Sequence, residues 1–237
     1  MPAERHTVMT LHNVTYRDSH AITRVDGVTL QINSGEILGI AAVEGNGQWE
    51  LLRIIAGRLS PSQGTRQLHG ETSNTTIVGF VPEDRHRDAL ILDFPLYENV
   101  ALLGAGHRTG TMAWHTLRDE TDDVISQYDV RARGNTTRAR TLSGGNQQKL
   151  VVGRELHARP SVLVAENPSR GLDIHATAAV HARLRDARNA GTAIILYSSD
   201  LDEVLALADR MIVMRNGVAS HVPIERDLVG RAMIGAV

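Results

Sequence analysis

Residues Glu36 to Arg58 read EILGIAAV, EGNGQ and WELLRIIAGR in succession. Glu36 to Val43 is a short apolar run, the pattern of a strand buried on both faces in a parallel sheet. Glu44-Gly45-Asn46-Gly47-Gln48 is a Gly-rich loop. From Trp49 to Arg58 the pattern turns helical, with Leu51, Leu52, Ile54 and Ile55 on one apolar face. Strand, Gly-rich loop and helix in that order form the geometry of a phosphate-binding loop. The same order also suits a strand-to-helix turn that holds no ligand, and these residues alone leave both readings open.

On the N-terminal side, Thr7 to Tyr16 and Val25 to Asn33 carry β-branched alternation, and Ser34-Gly35 turns the chain into the apolar run. On the C-terminal side, Pro61-Ser62-Gln63-Gly64 reads as a turn, and Ile77 to Val81 as a buried strand closed by Pro82. Leu96 to Leu156 reads mostly helical, with polar breaks at 104–110 and 131–140. Ser161 to Ala165 and Ala193 to Tyr197 are further apolar strands, separated by the Ala/Arg-rich helix Ile174 to Asn189. After the short helix Asp202 to Ala208, Met211 to Met214 and Val218 to Val222 flank Asn216-Gly217, a strong hairpin signal. Strands alternating with helices predict an α/β fold with a mostly parallel sheet. An antiparallel β part precedes that sheet. We expect one domain over 1–237, its sheet core at about 1–95 and 157–237 and a helical lobe inserted at about 96–156.

Composition narrows the function. Apolar residues make up 42% and charged residues 22%, ordinary values for a globular domain. A formal net charge of -2 gives no electrostatic argument for nucleic acid. Cysteine is absent, which removes disulfides and thiolate metal sites. Met1 to His6 does not read as a signal peptide. No apolar run approaches the roughly 18 residues that span a bilayer, so any membrane role is expected to be peripheral. Lys149 is the only lysine.

A second stretch carries chemistry: Leu142-Ser143-Gly144-Gly145-Asn146-Gln147-Gln148-Lys149. A hydroxyl and two glycines sit just before a helical run, Asn146 to Leu156. Adjacent glycines let a ligand approach the backbone. The helix start behind them offers free N–H groups to an anion, above all a phosphate, and Ser143 adds a hydroxyl. The octet resembles the signature motif of ATP-binding cassette (ABC) proteins, and its ending is most similar to the importer class for simple sugars and nucleosides. The resemblance runs from about Val8 to Val218. It implies a P-loop NTPase-type core and ATP and Mg²⁺ as cofactors.

Set against that family, the other motifs keep their order and lose their chemistry. A working loop reads G-x-x-x-x-G-K-[ST], with Lys on the phosphates and the hydroxyl on Mg²⁺. Aligned on Gly47, Gln48 replaces the cation and Trp49 the magnesium ligand, while Glu44, Gly45, Asn46 and Gly47 retain a nest of backbone N–H groups. Registered on Pro168, Glu166 takes the place of the Asp that serves Mg²⁺, where it could still bind the ion through water with its carboxylate shifted by the extra methylene, and Asn167 that of the Glu that activates water. Asn167 has no basic oxygen. Ser199 stands at the switch-histidine position. Asp173, in Ser169-Arg170-Gly171-Leu172-Asp173, reads either as a helix cap or as the Asp that meets a facing subunit. Glu83, in Val81-Pro82-Glu83-Asp84-Arg85, reads either as the residue linking ATP site and membrane subunit or as part of a solvated loop. Gln147 belongs to the signature and is expected near nucleotide. By counting, Asp18 holds the place of the aromatic residue that stacks on adenine, with Tyr16 nearby. Leu92-Asp93-Phe94 and Gln127-Tyr128-Asp129-Val130-Arg131 are more similar to the nucleoside branch than to the sugar branch.

The resemblance implies cassettes working in head-to-tail pairs, each ATP lying between one loop and the other signature. Ser143, Gly144 and Gly145 are then expected to act in trans on ATP held by a competent partner cassette. Asn167 and Ser199 leave the chain's own site silent. Transmembrane permease subunits, and through them a solute-binding protein, are the implied further partners, at the cytoplasmic face of the membrane. A self-sufficient homodimeric ATPase lacks its cation and base here. A nucleotide-sensing scaffold is the other alternative. A soluble ABC protein acting on DNA or ribosomes is disfavoured by the near-neutral charge.

Overall fold

The computed structural model describes residues 5–69 and 78–236. Ile77, expected to open a strand, lies outside them, as does most of the Met1–His6 stretch. The chain divides into two compact units, Met1–Phe80 with Pro160–Asn167 and Arg183–Val237, and Val81–Arg159 with Pro168–Ala182.

The first unit contains two sheets. Strands β1 (Thr7–Arg17) and β2 (Thr23–Asn33) pair antiparallel, as their alternation predicts. After β3 (Ile37–Ala42) and helix α1 (Gln48–Ile55), strand β4 (Gln63–Leu68) returns to pair with β1, giving the order β2-β1-β4. β4 corrects the sequence reading, which ended at a turn through Gln63 and Gly64. The strand is polar and mostly exposed, so no apolar alternation announced it. α1 is likewise shorter than the run to Arg58: Ala56 caps it and Gly57 turns left-handed at φ 73°.

The second sheet comprises β5 (Val78–Val81), β6 (Val162–Glu166), β7 (Ala193–Tyr197), β3, β8 (Arg210–Arg215) and β9 (Val218–Val222), in the order β5-β6-β7-β3-β8-β9. β6, β7, β3 and β8 run parallel. β8 and β9 form the antiparallel hairpin, with Asn216 and Gly217 both left-handed at φ 49° and 81°, as a type I′ turn requires. The inner strands are buried along nearly their whole length, which is why they read as apolar runs without alternation. One core cluster joins Leu38, Ile40, Val162, Val164, Ile195 and Ile212 of this sheet to α1 and to β1 and β2. Another joins Ala41, Met211 and Val213 to Val204 and Val229.

The second unit is mainly helical. In chain order its helices are α2 (Arg85–Asp88), α3 (Leu96–Ala101), α4 (Trp114–Gln127) and α5 (Gly144–His157). Val124 of α4 and Leu150 and Val151 of α5 are fully buried. Gly153 lets the helices approach: a Cβ there would stand 2.7 Å from Cγ of Tyr128. Asn99, fully buried, ties down the preceding loop by accepting from Ile91 N at 2.8 Å and donating to Ile91 O at 3.0 Å. Helix α6 (Ile174–Asn189) continues from this unit into the first, where α7 (Leu201–Leu207) and α8 (Arg226–Ile234) follow. The sequence reading did not include α8. Among the described residues, no helix is long and apolar enough to cross a membrane.

Candidate functional site

Three neighbouring parallel strands, β6, β7 and β3, end on one edge of their sheet. That edge, at the carboxyl ends of the strands, is where open α/β sheets bind ligands. The chain there supplies the loop after β3, Glu166 and Asn167 at the end of β6, and Ser198 and Ser199 after β7.

The loop is held in shape from outside. Asn46 Oδ1 accepts from Asn216 N at 2.7 Å, and Asn46 O accepts from Gly217 N at 3.1 Å, so the hairpin turn braces it. Gly45 and Gly47 are left-handed at φ 85° and 95°. A Cβ on Gly47 would stand 1.9 Å from Arg24 O, so this position admits only glycine, whereas Gly45 faces open space. Helix α1 starts from Gly47 without a side-chain cap. Glu44 is exposed, Trp49 is 45% exposed, and Gln48 is buried with an amide oxygen that has no hydrogen-bond partner among the described residues.

Behind the loop, Arg53 Nη1 donates to Glu166 Oε1 at 2.6 Å and Nη2 to Oε2 at 3.4 Å. Both residues are buried. The guanidinium also lies 3.7 Å from the Trp49 ring centroid. Arg53 did not figure in the sequence reading. Its partner is 113 residues away, and only the fold brings the two together. Beside them, Asn167 sits left-handed at φ 45°, which asparagine tolerates better than most residues. Its Oδ1 accepts from Ser199 N at 2.7 Å and from Ser199 Oγ at 3.1 Å. Asn167 and Ser199, which the sequence reading set at the base and switch-histidine positions, therefore bond to each other. Asp18, at the counted adenine position, accepts from His20 N and Ile22 N and pairs with Arg24, while Tyr16 packs against the core.

In the second unit, Ser143 caps α5, its Oγ accepting from Asn146 N at 3.4 Å and from Asn146 Nδ2 at 2.9 Å. Ser143 is exposed, and Gly144 and Gly145 are half-buried at the helix start. Gln147, expected near nucleotide, is buried and spends its amide on the chain. Nε2 donates to Ala139 O at 3.1 Å, and Oε1 accepts from Arg85 Nε at 3.1 Å, with His86 Nε2 at 2.8 Å. It acts as a bracket for two basic residues. A Cβ on Gly144 would stand 2.8 Å from Arg85 Nη2, so a guanidinium flanks the glycine pair. In the sequence reading Arg85 stood only as the last residue of the stretch around Glu83. Glu83 forms an ion pair with Arg170. Asp173 Oδ1 accepts from Ala176 N at 2.8 Å, the contact of a helix cap, and its side chain is otherwise exposed.

The sequence profile described as ABC transporter matches residues 25–170, more than half of the chain. The chain is 38% identical over 222 residues to the guanosine import ATP-binding protein NupO of Bacillus subtilis, covering 89% of this chain and 44% of that protein. It is 35% identical to the nucleoside import ATP-binding protein NupA of Lactococcus lactis, with the same 89% and 44% coverage. It is 35% identical over 206 residues to the ribose import ATP-binding protein RbsA of a Jannaschia species, covering 83% of this chain and 40% of that protein. The chain thus spans less than half the length of these curated relatives. Among solved structures, the dimeric post-hydrolysis ATP-binding cassette MJ0796 with ADP and Pi matches with a TM-score of 0.77 at 21% identity, covering 92% of this chain and 99% of that one. That likeness fixes the fold as an ABC cassette. Profile, relatives and fold agree: the chain belongs to the ABC transporter family, as an ATP-binding domain.

Proposed function

We propose that the chain is one cassette of an importer for nucleosides or simple sugars, and that it completes the ATP site of a competent partner cassette in trans. The observation that carries this reading is the helix start of exposed Ser143 and half-buried Gly144 and Gly145, with Arg85 beside it. Backbone N–H groups, a hydroxyl and a guanidinium converge where a γ-phosphate would approach. Fixed donors of this kind stabilise the charge that spreads over a transferring phosphoryl group. The chain's own edge has no counterpart. Gln48 brings no charge to the loop, and Asn167 cannot take a proton from water. Positioned acid–base help alone is worth roughly 10²–10⁴-fold.

The family uses Mg²⁺ with ATP, and the residues of this chain's own edge do not fit that ion. Mg²⁺ takes oxygen ligands in near-ideal octahedral geometry. Trp49 offers none, and Glu166 holds a buried guanidinium with both oxygens. No step is assigned to a metal at this site. At the partner's site, the partner supplies lysine, carboxylates and histidine, and this chain supplies Ser143, Gly144 and Gly145.

On this reading 1–237 is a single nucleotide-binding domain whose helical lobe, about 96–156, faces permease subunits at the cytoplasmic side of the membrane. Glu83 and Asp173 are the residues to test at its contacts. A solute-binding protein selects the cargo. Nucleosides are preferred over sugars because two of the relatives named above are nucleoside or guanosine import proteins. The test is ATPase activity of the assembled pair. Gly144→Asp, which sets a carboxylate beside Arg85 and against phosphate, is expected to abolish turnover. Full activity of that variant removes the trans clamp from the mechanism.

A further inference from the structure

Glu166 occupies the place of the family's metal-side carboxylate, and its charge is already spent. Arg53 bonds both of its oxygens, and Arg53 and Glu166 are only 7% and 2% exposed. The guanidinium stacks at 3.7 Å on Trp49, the residue that stands in for the hydroxyl ligand of the metal. For a dication to recruit Glu166, Arg53 would be left charged in a buried place without this partner, a change that strongly destabilises. A cation is nevertheless present at that point, built into the protein.

The loop in front retains features of a phosphate cradle. Gly45 is left-handed and a Cβ there would meet nothing within 4 Å. Helix α1 begins without a side-chain cap, leaving its first N–H groups to other acceptors. Gln48, the first residue of that helix, is 4% exposed, and its amide oxygen lacks a partner among the described residues. An orphaned buried oxygen is unfavourable until a donor arrives from a ligand or its water.

We infer that Glu44–Trp49 is a divalent-independent nucleotide site, in which the Arg53 guanidinium, clamped by Glu166, serves as the resident counter-ion in place of a metal. This goes beyond the trans-clamp reading and concerns only the chain's own loop. Nucleotide bound here is insensitive to chelators and to magnesium depletion. A metal-dependent site at the partner's loop would respond to both.

The test uses the full chain alone, carrying Trp114→Phe so that Trp49 is the one remaining indole of two. ATP is titrated against Trp49 fluorescence, once with excess EDTA and once with Mg²⁺. The expected dissociation constants agree within about twofold. Tightening of about tenfold or more by Mg²⁺ overturns the inference, and so does absence of ATP binding in both media. Glu166→Gln then separates the two roles by sign. It keeps the size of the side chain and an acceptor for Arg53 while removing one negative charge. With Glu166 as counter-ion to Arg53, the variant binds ATP in EDTA about tenfold tighter, because one negative charge is removed beside the guanidinium. With Glu166 as a metal-side ligand, the variant binds ATP more weakly in Mg²⁺. Weakened or unchanged binding overturns the inference. The wild-type titration needs no substitution at the pair, so it decides even if Glu166→Gln folds poorly. The trans clamp is tested at Gly144 with a partner present, so either proposal can fail without the other.

Discussion

Arg85 and Asn167 show how single side chains shape two separate parts of this chain. Arg85 is bonded through Nε to Gln147, and its Nη2 end lies against Gly144. Arg85→Gln keeps a donor for Gln147 and removes the charge. In the assembled pair it is expected to lower kcat by about tenfold to a hundredfold with KM for ATP little changed, since lost oxyanion-type donors act mainly on the chemical step. Steady-state kinetics at saturating and limiting ATP check this. Asn167 is a different case, because the backbone itself has adapted. Its φ of 45° suits asparagine, and its Oδ1 is engaged by Ser199. Asn167→Glu is therefore expected to destabilise the chain by about 1–2 kcal/mol through left-handed strain, and to leave the isolated chain without ATPase. A melting curve and a phosphate-release assay measure the two effects. The place of Asn167 at the end of an apolar strand was legible in the sequence, since it needs only the run Ser161 to Ala165. The roles of Arg53, Arg85 and Gln147 were not, because each depends on a partner brought close by folding.

The elements are held by close contacts that small substitutions expose. β3 passes α7 at Gly39, where a Cβ would stand 2.6 Å from Val204 Cγ1 and 2.9 Å from Ala208 Cβ. α4 meets α5 at Gly153, against the Tyr128 ring. Gly39→Ala and Gly153→Ala are each expected to cost about 1–3 kcal/mol by overpacking, whereas Gly144→Ala meets only the flexible end of Arg85 and is expected to melt near wild type. α5 has one further tie. Lys149 Nζ donates to Asp129 Oδ2 at 2.7 Å and to Asp129 O at 3.0 Å. The hydrogen bond and charge of Lys149 hold the Asp129 carboxyl below the ordinary carboxylate range. A depressed folded pKa means the bridge stabilises above the unfolded pKa and is lost as pH falls through the folded one. Lys149→Met should therefore melt below wild type at neutral pH, with the gap narrowing as the medium is acidified past the ordinary carboxylate range. The elements with apolar runs were legible in sequence. β4 was not, because it is an exposed polar strand defined by its pairing to β1.

For the chain as a whole, the proposal rests on a contrast between Ser143-Gly144-Gly145 at the start of α5 and a loop that carries Gln48 and Trp49. The family was legible because eight contiguous residues carry it, and because the remaining motifs keep their order and spacing. The isolated chain is expected to show no Mg²⁺-dependent ATP turnover above background, and a competent cassette is expected to restore it. A phosphate-release assay with and without that partner decides. Lys149, the only lysine, has a consequence for chemical probing. Its side chain is 15% exposed and leans on a carboxylate. A mild acylating reagent has one internal ε-amine to find, on the helix that begins at Gly144, and the ammonium must leave Asp129 and shed its proton before it reacts. The rate at which that amine is tagged therefore clocks how often the tie between Lys149 and Asp129 opens, with no engineered label.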